Sequence, residues 1–504
     1  VMKRPSAPST ELSDVALLLN VDAVDGVVTG VSSDNREIEP GDLFIAIRGA
    51  TVHAARFAAD AVKAGAAAVL TDAEGAQIAG ELGVPVLVVD DPARVAGLVA
   101  SSCLGRPAES LTSFAVTGTN GKTSTAYMID DILTKLGART GLIGTVEVRI
   151  AGETVPAALT TPQPVDLQQM LALLVERGGS HLVMETSSHA LAQGRTRPIR
   201  FDVAGFTNLT QDHLDYHKTF EEYYRAKATL FDEEHSSRGV IIVDDEWGRR
   251  LFEETKALRP DAVVSLSVAG NDADWQVMAT DREITAGGAG GHFTVEGPGG
   301  RLETFTALPG DFNIANAALA AVMVIESGTD VDTLSEVLKD SGISPQVPGR
   351  MQVVGQRPYT VVDFAHNTDA LVKAMVAVRG KGSGKLIVLT GAAGDRDRGK
   401  RPMMAAAVAQ YADMAVITDD DPHSEDPAKI RREMIAGIPQ GFSYVEIGDR
   451  EKAITDTVLG AAPDDIILIA GRGHETIQDV AGTAVAIDDR VVARRALARR
   501  MEEE

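Results

Sequence analysis

Cysteine is almost missing from this sequence: Cys103 is the single one in 504 residues. One thiol forms no internal disulfide and no cysteine-pair metal site, which fits a reducing compartment, and Cys103 reads as a small buried apolar residue. Long apolar runs are missing too. No uninterrupted stretch is long enough to span a bilayer, and the opening VMKRPSAPSTELSD lacks the apolar core of a secretory signal. A cytoplasmic location is the expectation. Positive charge is in deficit: 48 Lys and Arg stand against 72 Asp and Glu, a net charge of −24. Such a surface repels phosphate backbones and anionic lipid, so neither nucleic acid nor membrane is an expected partner. The basic run from Arg490 to Arg500 has helical spacing and reads as a solvated helix face. The chain shows no repeat of fixed period.

What is present is alternation. Apolar, β-rich runs alternate with helical patterns from end to end, which predicts α/β domains with largely parallel sheets. A length of 504 residues exceeds one ordinary core, so two to four domains are expected. Strand-like runs occur at 43–49, 66–72 and 84–92, with a helical pattern at 55–65. A new unit opens at 113–118 and continues through 181–186, 202–208 and 239–245. The Gly-rich segment 284–300 reads as a β-hairpin excursion. A break near 344–352 precedes a third group of strands at 360–366, 385–394, 413–420 and 465–473. The division is therefore 1–109, 110–345 and 346–504.

The strongest local signal is the run Thr117-Gly118-Thr119-Asn120-Gly121-Lys122-Thr123-Ser124. An apolar strand precedes it. An amphipathic helix follows, with Met128, Ile129, Ile132, Leu133 and Leu136 on one face. Glycines let backbone N–H groups turn inward around an anion, and the helix N-terminus adds positive potential. Lys122 adds a point charge, and the Thr123 hydroxyl can reach Mg²⁺. Val116 stands where the usual phosphate-loop pattern has its first glycine, so this loop is shorter.

The form TGTNGKTS, with further blocks in order along nearly the whole chain, resembles the Mur ligase family, which adds amino acids to the peptidoglycan precursor. The blocks include SSDNREIEPGDLFIAIRG (32–49), METSSHAL (184–191), NLTQDHLDYH (208–217), YYRAKATLF (223–231), PGDFNIANA (309–317), DFAHNTDAL (363–371), TDDDPHSEDP (418–427) and GRGHE (471–475). Together they are similar to the MurE type, which adds the third residue. The resemblance implies three α/β domains: a small UDP-sugar domain, a central P-loop ATPase-like domain and a C-terminal Rossmann-like domain. It implies an ADP-forming ligase that phosphorylates the D-glutamate carboxylate of UDP-N-acetylmuramoyl-L-alanyl-D-glutamate and joins it to a diamino acid. A monomer is expected.

By the same resemblance, Gly118 to Ser124, Asn313, Asn316, Arg350 and Asp363 would bind ATP. Lys122, Lys227 and His213 would carry the chemistry, with Mg²⁺ held by Thr123, Glu185, His213 and Lys227. Lys227 would be carbamylated by CO₂, which requires a neutral amine and hence a pKa lowered by burial or nearby cations. Taken singly, Glu185 reads rather as a cap of the following turn, His213 as a hydrogen-bonded core histidine, and Lys227 as a surface helix lysine; it is the surrounding blocks that favour the site roles. Thr160, Thr161, Ser187, Gln193 and Arg195 match positions that hold the sugar peptide, and Ser33 and Asn35 lie in the block expected near uridine. Asn35 stands where many members have serine.

The amino-acid pocket would use Arg396 for the α-carboxylate and Asp420 and Glu475 for amines, with Asp421, His423 and Gly471 beside them. Members that use meso-diaminopimelate usually carry Asp-Asn-Pro-Arg, whose arginine pairs with the distal carboxylate. Here the stretch is Asp420-Asp421-Pro422-His423, with Asp419, Glu425 and Asp426 close by. A neutral histidine among so many acids favours a distal ammonium. L-Lysine is therefore the expected substrate, ahead of L-ornithine and meso-diaminopimelate. Two rivals remain: a folylpolyglutamate synthetase, disfavoured by the UDP-sugar-type blocks, and an inactive Mur-like nucleotide-binding scaffold, disfavoured by intact Lys122, Thr123, Glu185, His213 and Lys227.

Overall fold

The computed structural model describes residues 3–212, 214–281, 290–380 and 383–503. Three α/β sheets follow one another along the chain. The first is a four-stranded parallel sheet of Gly30–Ser32, Asp42–Ile45, Ala68–Thr71 and Val86–Val88 in sequence order. The helix Pro92–Cys103 packs on it, and Cys103 is fully buried there. Burial pushes its thiol up to about 12, so it is an inert apolar group.

The second sheet has eleven strands. Its parallel centre places Thr112–Thr117 between His181–Glu185 and Phe201–Phe206, with Thr140–Ile143 and Ser236–Ile242 outside them. These strands are covered on both faces, which is why they read as continuous apolar runs. Antiparallel hairpins close the two ends of the sheet. One, Gly291–Gly297 with Gly300–Thr306, lies later than the expected 284–300 segment, part of which is outside the described residues. Helix Lys122–Lys135 buries Met128, Ile129 and Ile132 completely on this sheet. Truncating either isoleucine to alanine there costs about 2–5 kcal/mol. Beside it lies Asp311–Glu326, with its apolar residues from Ala317 to Val324 fully buried. Such a helix is core-embedded rather than amphipathic.

The third sheet has six strands, with Tyr359–Asp363, Ile466–Ala470, Leu386–Thr390, Met414–Ile417 and Tyr444–Glu446 in parallel order. Gln352–Gln356 adds an antiparallel edge strand. A small hairpin, Ile477–Val480 with Thr483–Ala486, follows the last parallel strand. The basic C-terminal run forms the helix Asp489–Glu503. It is not simply solvated, because Val492, Ala493 and Ala496 are buried. Its N-terminal Asp489 forms a fully buried ion pair with Arg450 at 2.7 Å.

In open α/β sheets, ligands bind beyond the carboxyl ends of the strands. In the second sheet those ends carry residues 118–121, 186–187 and 207–208. In the third they carry residues 364–366, 391–396, 418–423 and 471–475. No helix among the described residues is long and apolar enough to cross a membrane.

Candidate active site

The phosphate loop leaves its strand at Gly118, which has φ +145°, and enters the helix at Gly121, which has φ +94°. Both glycines are required by their surroundings as well as by backbone angle. A Cβ on Gly118 would sit 1.9 Å from Thr207 Oγ1, and one on Gly121 would sit 2.5 Å from Asn316 Oδ1. The neighbouring strand end braces the loop. Asn208 accepts from the Thr119 N–H with its carbonyl (2.9 Å) and from the Asn120 N–H with its side-chain oxygen (3.0 Å).

Two lysines converge on one carbonyl. Lys122 Nζ donates to Gly118 O and Thr119 O, both at 2.9 Å, and Lys227 Nζ donates to Gly118 O at 2.8 Å. Lys227 is only 1% exposed and lies 4.6 Å from the Tyr223 ring centroid. Burial lowers its pKa well below the ordinary lysine value, and the charge of Lys122 lowers it further. The surface-lysine alternative is thereby removed.

Register places Glu185 opposite Val116, one strand away from the loop. Its carboxylate is 1% exposed and accepts from Thr123 Oγ1 (2.9 Å), Thr145 N–H (2.8 Å) and Thr145 Oγ1 (3.0 Å). Glu185 is not the cap of the following turn; Ser187 is, accepting from the Ala190 N–H. His213 lies outside the described residues.

Arg350, from the third unit, reaches the same point. Its Nη2 donates to Thr123 Oγ1 at 3.2 Å, and its guanidinium stands 4.2 Å from the Phe364 ring centroid. Asp363 fastens this arm by accepting from Met351 N–H (2.6 Å) and Ala365 N–H (2.8 Å). Gly349 has φ +63°, and a Cβ there would lie 2.1 Å from both the Gly473 carbonyl carbon and the His474 nitrogen. Asn120 adds another link across the units, donating to Asp369 Oδ2 at 3.0 Å. Gly121, Thr123, Ser124, Asn316, Arg350 and Asp363 share a cavity of about 750 Å³. Asn313 lies just behind it, fully buried and bonded to Asn316 and to the Pro309 carbonyl.

The expected sugar-peptide residues form a network against Glu185. Thr161 Oγ1 donates to the Glu185 carbonyl (2.9 Å) and accepts from Ser187 N–H (3.1 Å), while Arg195 donates to Thr161 O (3.1 Å) and Gln193 Oε1 (2.8 Å). Thr160 Oγ1 lies 3.1 Å from Thr145 Oγ1. Ser33 and Asn35 stand apart in the first unit, at the turn Asn35–Glu37 capped by Asp34. Gln169 ties that region to the second unit by donating to Val31 O at 2.8 Å. Thr145, Asn208 and Tyr223 were not singled out from sequence. Asn208 sat within a quoted block, whereas nothing local marks Thr145.

In the third unit, Asp420, Asp421 and Glu475 bring carboxylate oxygens within 4.8 Å of one another. Burial, then the charge of Asp420, pushes Glu475 up to about 8. Gly471, at φ +117°, lets Asp420 approach: a Cβ would lie 2.6 Å from Asp420 Oδ2. A separate cavity of about 670 Å³ is lined by Asp395, Arg396, His423, Ser424 and Asp479, among others.

These contacts correct the argument for a distal ammonium. It rested on five acids, and the structure gives four of them structural partners. Asp419 pairs with Arg431, Asp421 with Arg472 at 2.5 Å, and Glu425 with fully buried Arg401 at 2.8 Å. Asp426 caps the helix Pro427–Ile435. His423 is not a lone ring either, since its Nδ1 lies 2.9 Å from Asp479 Oδ2. The negative field read from the local sequence is largely compensated by arginines from elsewhere in the chain.

Comparison with known proteins gives a consistent assignment. The Mur ligase middle domain matches residues 116–324, the Mur ligase glutamate ligase domain matches 349–473, and the Mur ligase family catalytic domain matches 27–106. The chain is 43% identical to a UDP-N-acetylmuramoyl-L-alanyl-D-glutamate–2,6-diaminopimelate ligase of Streptomyces coelicolor, over 97% of this chain and 96% of that protein. It is 41% identical to a UDP-N-acetylmuramyl-tripeptide synthetase of Leifsonia xyli subsp. xyli, over 98% and 97%. A solved structure of a UDP-N-acetylmuramoyl-L-alanyl-D-glutamate–2,6-diaminopimelate ligase superposes with a TM-score of 0.66 at 30% identity, covering 98% of this chain and 100% of that one.

Proposed function

The chain belongs to the Mur ligase family, as an ATP-dependent acid–amino-acid ligase of the MurE type, and from that premise we propose that it joins 2,6-diaminopimelate to the D-glutamate of UDP-N-acetylmuramoyl-L-alanyl-D-glutamate. The observation that carries the ligase chemistry is the meeting of three groups at Thr123: the phosphate loop, Glu185 and Arg350.

A carboxylate does not accept an amine directly, because its leaving group is too poor. Transfer of the γ-phosphoryl group makes an acyl phosphate, the amine attacks its carbonyl carbon, and phosphate leaves from the tetrahedral intermediate. The protein's task is to align two anions, neutralise them and exclude water. The loop amides, Lys122 and Arg350 supply donors for the nucleotide phosphates. Asn313 and Asn316 back the adenine side of the 750 Å³ cavity, and Asp363 serves the ribose side.

Thr123 and Glu185 offer a hydroxyl and a buried carboxylate, a hard-oxygen set that fits Mg²⁺. Bound there, Mg²⁺ would withdraw charge from the phosphate oxygens. Lys227 fits carbamylation because its amine is buried beside a second lysine, the condition that keeps it neutral and able to add CO₂. Thr160, Thr161, Ser187, Gln193 and Arg195 would hold the muramoyl peptide, and Ser33 and Asn35 the uridine end. The corresponding division of labour is 1–109 for UDP-sugar, 110–345 for ATP and 346–504 for the amino acid.

The choice of diaminopimelate over L-lysine has two supports. Relatives from Streptomyces coelicolor, 43% identical, and Corynebacterium glutamicum, 40% identical, are named as 2,6-diaminopimelate ligases. The cavity at Arg396 also carries both signs of charge, with His423 beside it and Asp395 and Asp479 opposing. The distal end of diaminopimelate is a zwitterion and meets both signs, whereas the distal end of L-lysine brings no carboxylate to His423. Phosphate release measured with meso-diaminopimelate, L-lysine and L-ornithine tests this. The expected result is a kcat/KM for meso-diaminopimelate about 100-fold above the others, the scale of one lost buried charge pair. A preference for L-lysine overturns it.

A further inference from the structure

The hairpin that follows the GRGHE loop brings a carboxylate from far along the chain onto His423. Asp479 Oδ2 lies 2.9 Å from His423 Nδ1. The main chain stitches the two loops together. His423 N–H donates to Asp479 O (3.1 Å), Ala481 N–H donates to His423 O (2.9 Å), and Asp479 N–H donates to Asp421 Oδ1 (2.9 Å). Asp479 Oδ1 is held in turn by the Gly482 N–H at 2.9 Å. His423 adopts the left-handed backbone, φ 48°. Ring and carboxylate both line the cavity that contains Arg396.

We propose that Asp479 is a specificity-determining positioning residue for the distal carboxylate of the diamino acid, acting through His423. The proposal rests on reading the Arg396 cavity as the diamino-acid pocket. A carboxylate on Nδ1 fixes both the rotation of an imidazole and the nitrogen that faces outward. With Nδ1 turned to Asp479, the Nε2 edge of the ring is the one left to meet the substrate carboxylate. His423 Nε2 then meets the distal carboxylate, a task that a guanidinium fork performs elsewhere, while Arg396 in the same cavity stays with the α-carboxylate. Asp395, in the same cavity, accepts from Ser424 N–H (3.0 Å) and Ser424 Oγ (2.9 Å). L-Lysine has no distal carboxylate and gains nothing from this arrangement.

The test uses the full-length enzyme with saturating ATP and sugar nucleotide, and follows phosphate release with meso-diaminopimelate and with L-lysine. D479A raises KM for diaminopimelate by about tenfold, the scale of one charged hydrogen bond, and lowers the diaminopimelate-to-lysine ratio of kcat/KM in proportion. D479N keeps an acceptor for Nδ1–H and loses less. The double variant D479A/H423A is no worse than H423A alone, because Asp479 acts only through the ring. The proposal is overturned if D479A and D479N move both amino acids equally or move neither, or if the losses of D479A and H423A multiply. The wild-type profile reports on the pocket reading separately. A wild type that prefers L-lysine refutes that reading, while the shift in ratio between wild type and D479A still decides the role of Asp479.

Discussion

Replacing Thr123 with alanine removes one hydroxyl that serves two domains. That oxygen donates to Glu185 at 2.9 Å and accepts from Arg350 at 3.2 Å. Each bond has a charged partner, a class worth about 1.5–3 kcal/mol. Loss of both, if both are made in the transition state, amounts to about 3–6 kcal/mol, or about 10²- to 10⁴-fold in kcat/KM. The lower end is expected here. Glu185 keeps both bonds from Thr145, and Arg350 keeps its place over Phe364. T123A should therefore lose about 10²-fold in ADP formation at saturating amino acid, whereas T123S, which keeps the hydroxyl, should stay within about fivefold. R350A and the double variant complete a cycle. Because the two side chains touch, their effects should overlap rather than multiply. A T123A enzyme within about threefold of wild type, or fully multiplicative losses in the double variant, refutes the reasoning.

Two further outcomes follow from buried charge. Arg450 and Asp489 are both fully buried, and Arg450 also donates to the carbonyls of Asp419 and Ala470. D489N leaves the guanidinium uncompensated and should destabilise the C-terminal unit by about 3–5 kcal/mol in urea unfolding; a change below about 1 kcal/mol would contradict this. Glu475 titrates near 8 when folded, against an ordinary value of 4.5. Between those values the folded form keeps a proton that the unfolded chain has released, so stability falls as pH rises through the window and levels off above it. E475Q should lose that contribution, giving a smaller drop in urea midpoint from pH 6 to pH 8 than wild type. Equal drops in the two proteins would dismiss the assignment.

Much of the architecture was legible because parallel strands covered on both faces are written as short apolar blocks. Each of 113–118, 181–186, 202–208 and 239–245 contains most of an observed strand. The phosphate loop was legible because its chemistry is local, with strand, glycines, lysine and helix lying within a dozen residues. What failed to show was anything that depended on distant partners. The run 418–427 looked like a patch of negative charge, yet Arg431 just beyond it and the distant Arg472 and Arg401 neutralise most of it. Asp479, 56 residues beyond His423, was invisible for the same reason. Thr145 went unnoticed because a hydroxyl in a turn carries no signature until the strand bearing Glu185 is laid beside it.

Gly349 lies so close to the Gly473–His474 peptide that neither segment can slide without the other. One of these segments leads straight into Arg350 and the other into Glu475, the residues assigned by resemblance to the phosphates and to the incoming amine. On that assignment the two substrates bind against one backbone-to-backbone contact. Whatever factor ATP lends to amino-acid affinity through that contact, the amino acid must return to ATP. G349A tests that coupling, because its added methyl group would force the two segments apart.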